Sequence, residues 1–326
     1  MEFFKLEDEL EYYSKRYKLS REIEDMFLHK GYVKMDPLTF EDYEKFVSIN
    51  KRVKKESVVK VFSDNLKVLR PDITTSIIKH LMPKGRNGLK AKIFYNSVIF
   101  KNKKFNIEEI RQIGIEYLGE ESFEAELEVI GLAINILKRS GRKNILEIGS
   151  SKYINSLLNE LNIEDEKKGE LKTLINRKNQ YEIRIFLEEE HISHAIYELL
   201  SNMLTLQGTL EEVINRAKQY YLNEDMKDAL QELIQLNEFI CNEGEDENIL
   251  FDLSMIREFD YYEGVIFKGY IEGYFKDILR GGRYDALTKT FGKKVPAIGF
   301  SVDLDELINF INEGGEDSGV CNNCSV

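Results

Sequence analysis

No apolar run in this sequence comes near the ~20 residues that a membrane-spanning helix needs. Its opening, Met1-Glu2-Phe3-Phe4-Lys5-Leu6-Glu7, is acidic and has no signal-peptide core. Both absences point to a cytoplasmic protein without a membrane partner. Cysteine is scarce, confined to Cys241, Cys321 and Cys324. The last two have redox or metal-ligand spacing, but they lie in a polar tail with too few further ligands for a metal site. That tail, residues 313–326, is expected to be disordered. Basic charge is in deficit: 46 Lys and Arg against 58 Asp and Glu, a net charge of -12. Such a surface repels phosphate backbones and argues against a nucleic-acid partner.

What is present begins with helical spacing. Leu10, Tyr13, Tyr17, Ile23 and Phe27 predict a helix over 7–30 that Gly31 stops, followed by a strand at Tyr32–Met35 leading to Pro37. Residues 57–69 read as two strands around an Asp64-Asn65 turn, 73–81 as a helix and 91–100 as a strand. Phe123, Leu127, Ile130, Ile134 and Leu137 form one helical stripe, with Ser122 as N-cap. After a strand at 145–149, residues 151–245 read as helices, of which about 160–245 form a helical insertion. Strands at 261–271 and 273–280 are broken by Gly281-Gly282. A helix at 283–290, a strand at 295–302 and a helix at 303–312 follow. Strands paired in sequence, without strict strand–helix alternation, predict an α+β fold with an antiparallel sheet flanked by helices.

Four strings recur in fixed order: Leu69-Arg70-Pro71-Asp72-Ile73-Thr74, Gln112-Ile113-Gly114-Ile115-Glu116, Arg257 to Gly264, and Gly281-Gly282-Arg283-Tyr284-Asp285. Together they resemble histidyl-tRNA synthetase. The helix, Gly31 and Pro37 segment resembles the first motif of class II synthetases, which builds the dimer interface in that superfamily. The resemblance implies a class II synthetase-like core over residues 1–312. Three features depart from the enzyme. Glu306 stands where the third motif has an arginine that lies against ATP. Lys101 replaces the arginine of the second motif, and its arginine-rich loop has become Asn102-Lys103-Lys104-Phe105-Asn106. No anticodon-binding domain is expected after the third motif. This combination is similar to the regulatory subunits of short-form ATP phosphoribosyltransferase, the first enzyme of histidine biosynthesis. That likeness implies no catalytic residues, no cofactor and L-histidine as effector. It also implies a short catalytic subunit as partner and dimers within a hetero-octamer.

By the same resemblance, Asp72, Thr74 and Gln112 would bind the α-amino group of histidine and Arg257 its carboxylate. Glu116 and Tyr262 would grip the ring nitrogens, with Tyr261 beside them. The planar fork of an arginine suits a carboxylate, and paired donors and acceptors reject analogues that leave them unpaired. Each residue has a plainer reading. Asp72 could be only the N-cap of the 73–81 helix, Glu116 a solvent-facing strand residue, Arg257 and Tyr262 hairpin surface, and Gly281-Gly282 a turn. Glu306 could complete a capping box with Asp303. Against ATP, however, the change from arginine is severe. At ~4 Å and an effective dielectric near 20 a unit charge pair is worth roughly 4 kcal/mol, so reversing one sign costs up to about 8 kcal/mol. His191 and His194 read as an exposed pair, and Lys101–Lys104 as a solvated loop. Besides the regulatory reading, the residues admit a small histidine-adenylating enzyme and, less well, a tRNA-binding fragment.

Overall fold

Alternation along the strands gives the central sheet two chemically different faces, and the site lies on one of them. A computed structural model describes residues 5–49, 56–84, 90–103, 106–244, 248–257 and 261–312. Expectations for Lys104, Phe105, Glu258 to Asp260, Cys321, Cys324 and the 313–326 tail lie outside the described residues.

The chain opens with α1 (Leu6–His29), β1 (Val33–Lys34), β2 (Phe40–Asp42), α2 (Tyr43–Ile49), β3 (Lys60–Phe62) and β4 (Leu66–Leu69). Next come α3 (Ile73–Leu81), the long strands β5 (Ala91–Lys103) and β6 (Asn106–Leu118), α4 (Glu124–Lys138) and β7 (Asn144–Ser150). A mainly helical stretch follows: α5 (Ser151–Asn159), α6 (Asp165–Asn176), α7 (Gln180–Glu189), α8 (His194–Ser201), β8 (Gln207–Gly208), α9 (Leu210–Ala217) and α10 (Glu224–Asn242). The last elements are β9 (Ile249–Asp252), β10 (Val265–Ile271), β11 (Leu279–Arg283), α11 (Asp285–Thr290), β12 (Ala297–Asp303) and α12 (Leu304–Asn312).

Nine strands form one sheet in the order β1-β5-β6-β12-β11-β10-β7-β9-β8, and β2-β4-β3 form a small second sheet. The class is α+β, as the pattern of elements predicts, but the large sheet is mixed. β1 pairs parallel to β5, and β7 parallel to β9. Both parallel pairs join strands separated by helices, which is the connection a parallel neighbour requires.

Phe94, Ile113, Ile115, Ile148, Phe267, Phe300 and Val302 point to one side and are buried in the main core with Val129, Ile130, Ala133 and Ile136 of α4. The stripe expected for α4 holds at Ile130, Ile134 and Leu137, and the buried face is wider than it and weaker at its start. Phe123 and Leu127 are only partly buried, while Ala125, Val129, Leu132 and Ile136 are buried. Ser122 does not cap this helix; its N–H and hydroxyl donate to Glu120 Oε1. In α1 the expected stripe fails over the first half. Leu10, Tyr13 and Tyr17 are exposed, and only Leu19, Ile23 and Phe27 enter the core. The stop at Gly31 holds: its φ is +82°, and the Tyr32 N–H reaches the Phe27 carbonyl in a Schellman-type closure.

The opposite face carries Tyr95, Ser97, Gln112, Gly114, Glu116, Gly299, Asp303, Arg280 and Lys268, whose cross-strand registers line them up. Helices α3 and α11 cover part of it through Ile73, Ile77, Ile78 and Leu287. Gly281 and Gly282 do not break the chain. They lie inside β11, opposite Phe267 and Ile266 of β10 and Phe300 and Gly299 of β12. A Cβ on Gly281 would meet the Phe267 ring, and one on Gly282 would come 2.9 Å from Tyr262 Cδ1. Small residues are needed there because large aromatics press on both faces.

Candidate functional site

The loop before α3 is anchored first. Arg70 is buried; its Nε donates to the Val98 carbonyl at 2.7 Å and its Nη1 to the Pro37 carbonyl. Asp72 then adopts extended backbone angles and caps α3, accepting the Thr75 N–H at 2.7 Å. The capping reading is therefore correct, and it leaves Thr74 in the first turn facing the sheet.

Thr74 Oγ1 donates to Glu116 Oε1 at 2.6 Å, and the Tyr284 hydroxyl donates to Glu116 Oε2. Glu116 is not solvent-facing; its exposure is 1%. Its partner across β12 is Gly299, where any Cβ would overlap the carboxylate. The Tyr95 phenol lies against the Thr74 hydroxyl, and Gly114 beneath it leaves room for the ring. Tyr261 packs on Tyr262 with ring centroids 4.9 Å apart and on Tyr284 at 6.2 Å. The Arg257 guanidinium sits 5.3 Å from the Tyr262 ring centroid. Its Nε is buried without a hydrogen-bond partner among the described residues.

Burial governs the electrostatics. It pushes the Glu116 carboxyl up to about 8, against the pull of the Thr74 and Tyr284 hydroxyls, with Asp72 adding to the rise. A carboxyl at that value is roughly nine-tenths protonated at pH 7. Burial also raises Asp72, opposed by the Thr75 hydrogen bonds. The phenols of Tyr95, Tyr261 and Tyr284 are held well above their usual range, first by burial and then by neighbouring anionic groups. The result is a buried cluster of two acids, four phenols and one guanidinium.

The structure thus brings Asp72, Thr74, Glu116, Arg257, Tyr261 and Tyr262 together. Gln112 is set apart. It lies on the same sheet face, four residues or roughly 13 Å along β6 from Glu116, and its Nε2 donates to Asp303 Oδ1 at 2.8 Å. Arg280 closes that corner, pairing with Asp303 at 2.9 Å and Asp277 at 3.2 Å. Asp303 therefore turns its carboxylate to Gln112 and Arg280, and Glu306 stands one turn further on, in the first turn of α12. Tyr284 and Tyr95 are site residues that sequence reasoning missed. Tyr284 had a signal, since it sits inside the Gly281-to-Asp285 string; Tyr95 had none. Among the described residues no cluster of three or more His, Cys, Asp or Glu side chains could hold a metal, and no helix is long and apolar enough to cross a membrane. His191 and His194 are both exposed.

A mixed sheet whose polar face carries this pocket, with helices behind it, is a class II synthetase-like core. The histidyl-tRNA synthetase family model matches residues 6–307. The ATP phosphoribosyltransferase regulatory subunit of Oceanobacillus iheyensis is 32% identical over 305 residues, covering 93% of this chain and 75% of that protein. A structure of an ATP phosphoribosyltransferase regulatory subunit/histidyl-tRNA synthetase from Bacillus halodurans superposes with a TM-score of 0.83 at 28% identity, over 93% of this chain and 80% of the other. A chain of an ATP phosphoribosyl transferase (HisG:HisZ) complex from Thermotoga maritima shares the fold, with a TM-score of 0.69 at 18% identity, over 89% and 97%. The chain belongs to the ATP phosphoribosyltransferase regulatory subunit family, the branch of the synthetase-like proteins that its departures from the enzyme pattern implied.

Proposed function

We propose that this protein binds free L-histidine in the Glu116 pocket and, without chemistry of its own, sets the activity of a short catalytic phosphoribosyltransferase subunit in the cytoplasm. The observation that carries this reading is the clustering of Asp72, Thr74, Glu116, Arg257, Tyr261 and Tyr262, whose charges and donors can be matched group by group to one amino acid. Asp72 faces the ammonium, and the Arg257 guanidinium, with its Nε free, faces the carboxylate. Glu116, Thr74 and the tyrosines face the ring. Gln112, held by Asp303, stands further along the face and is the weakest member of the set.

The neighbouring corner supports a non-catalytic role. Arg280 is already shared between Asp277 and Asp303, and Glu306 adds a further negative charge where the synthetase pattern has an arginine. A triphosphate would meet net repulsion there. Feedback works by linkage: histidine favours the assembly state in which the partner is less active. The Thermotoga maritima complex supports a partner of that kind, and dimers within a hetero-octamer are the arrangement the family likeness implies. Helices α6–α10 would be an insertion in a single synthetase-like core.

Titration calorimetry with L-histidine tests the sensor; absence of heat at millimolar ligand would sink it. Co-expression with a short catalytic subunit tests the partner, with separate elution as the contrary result. Histidine-dependent ATP–pyrophosphate exchange tests the adenylating alternative, and none is expected.

A further inference from the structure

The ring end of the pocket is acidic and aromatic, and this says in what form a ring can be held. Glu116 is reached by Thr74 and Asp72 at the start of α3, by Tyr95 of β5, by Tyr284 after β11 and by Tyr261 before β10. Across β12 it faces only the backbone of Gly299. The Arg257 cation stacks on Tyr262 rather than pairing with Glu116. Among the described residues the carboxyl thus has two hydroxyl donors, a cage of phenol rings and no cation. Burying an unpaired carboxylate is costly, so burial keeps the group neutral. Phenol faces, in turn, attract a cation.

We propose that Glu116 passes its proton to the imidazole of bound histidine, so that the ring is held as an imidazolium against a carboxylate inside the tyrosine cage. The inference rests on the reading that this pocket binds L-histidine. The Glu116 O–H bond breaks and its electron pair stays on the carboxylate. A ring nitrogen lone pair takes the proton, and the Thr74 and Tyr284 hydroxyls remain as donors to the two carboxylate oxygens. No other group is consumed.

The bound state then holds one proton between carboxyl and ring at every pH near neutrality. A free imidazole titrates near ~6.5, and Glu116 at about 8. Below the first value both partners carry a proton, and one is expelled on binding. Between the two values nothing is exchanged with solvent. Above the second neither carries one, so a proton is taken up, and affinity falls roughly tenfold per pH unit.

The test is calorimetry of L-histidine binding in buffers of different ionisation enthalpy at pH 5.5, 7.2 and 8.5, on the wild type and on Glu116→Gln. The ligand's α-amino group titrates alike with both proteins, so their difference isolates Glu116. At pH 8.5 the wild type should take up roughly three-quarters of a proton more than the variant, the share of Glu116 ionised half a unit above its value. Equal uptake by two proteins that both bind overturns the inference and leaves the histidine reading intact. No heat with the wild type at any pH overturns that reading and this inference with it. Should Glu116→Gln not bind, Tyr284→Phe carries the test. Removing a hydroxyl that favours the carboxylate moves the onset of uptake to higher pH, and an unmoved onset refutes the part given to Glu116. The 15N spectrum of labelled histidine bound to the wild type locates the proton, and a neutral ring at pH 7.2 refutes the transfer.

Discussion

Replacing Glu116 by Gln should make the unliganded protein more stable at alkaline pH while leaving it almost unchanged in acid. The folded carboxyl keeps its proton up to about 8, against 4.5 for the same group in the open. Between those values the folded chain binds more protons than the unfolded chain, so stability falls as pH rises. The contribution is fully present below 4.5 and is lost as pH climbs through 8. The difference, 8 minus 4.5, is worth about 5 kcal/mol at ~1.36 kcal/mol per unit. Between pH 5 and 8.5 the portion lost is about 4 kcal/mol as an upper figure, because pocket relaxation and entering water lower it.

Gln keeps the size of the side chain and has no charge to bury. Its oxygen can accept from one hydroxyl and its amide can donate to the other hydroxyl's oxygen. Urea unfolding of both proteins at pH 5, 6, 7 and 8.5 is the assay. The two free energies should be close at pH 5 and separate by several kcal/mol at pH 8.5, with the variant the more stable. Parallel pH profiles would show that Glu116 is ionised in the folded protein and would refute the argument.

Three further outcomes are expected. Arg283→Met should destabilise by about 3–5 kcal/mol in urea unfolding, because it strands Glu126, 4% exposed and 2.5 Å from Arg283, as an unpaired buried acid; a second change, Glu126→Met, should restore most of the loss. Gly299→Ala should cost about 1–3 kcal/mol or more in thermal unfolding, since its Cβ would overlap both the Glu116 carboxylate and the Ile115 carbonyl. Asp72→Asn should leave unfolding within about 0.5 kcal/mol, because Asn caps helices as well as Asp, yet weaken L-histidine binding at least tenfold in calorimetry; unchanged affinity would reduce Asp72 to a cap.

Much of the fold was legible because burial writes itself into periodicity. The alternation through Ile113 and Ile115 marks a strand with one core face, and Asp72 marks the start of α3. What failed was whatever depends on the neighbour rather than on the segment. Leu10, Tyr13 and Tyr17 have helical spacing, but no element of the described fold covers the side of α1 that carries them; α12 meets a different side of that half, at Tyr12 and Arg16. Gly281-Gly282 has the look of a turn when read along the chain. Read across the sheet, it is the spot where β11 must pass between the Phe267 ring and Tyr262. Nor could sequence reveal the parallel pairing of β7 with β9, whose partners are a hundred residues apart.

The site shows the same limit more sharply. Glu116 alternates with Ile113 and Ile115 in a way that fits a solvated face as well as a pocket. The choice is made by residues distant in sequence. Gly299 across the sheet leaves room for the carboxyl, and α3 brings Thr74 over it. Tyr284, 168 residues away, donates to its far oxygen. None of these partners can be seen from Glu116 alone, and Tyr284 could be quoted within its motif without its acceptor being known. Once they are assembled, the local charge balance limits what the pocket can hold. A buried acid with two hydroxyl donors, aromatic walls and no cation among its described neighbours stays neutral until something basic arrives. A ligand that brings its own base to this spot gains from the carboxyl that burial has kept protonated, and a ligand without one does not. Selectivity for a basic ring over an aliphatic side chain of similar size therefore follows from the register of β6 against β12 as much as from the identity of residue 116.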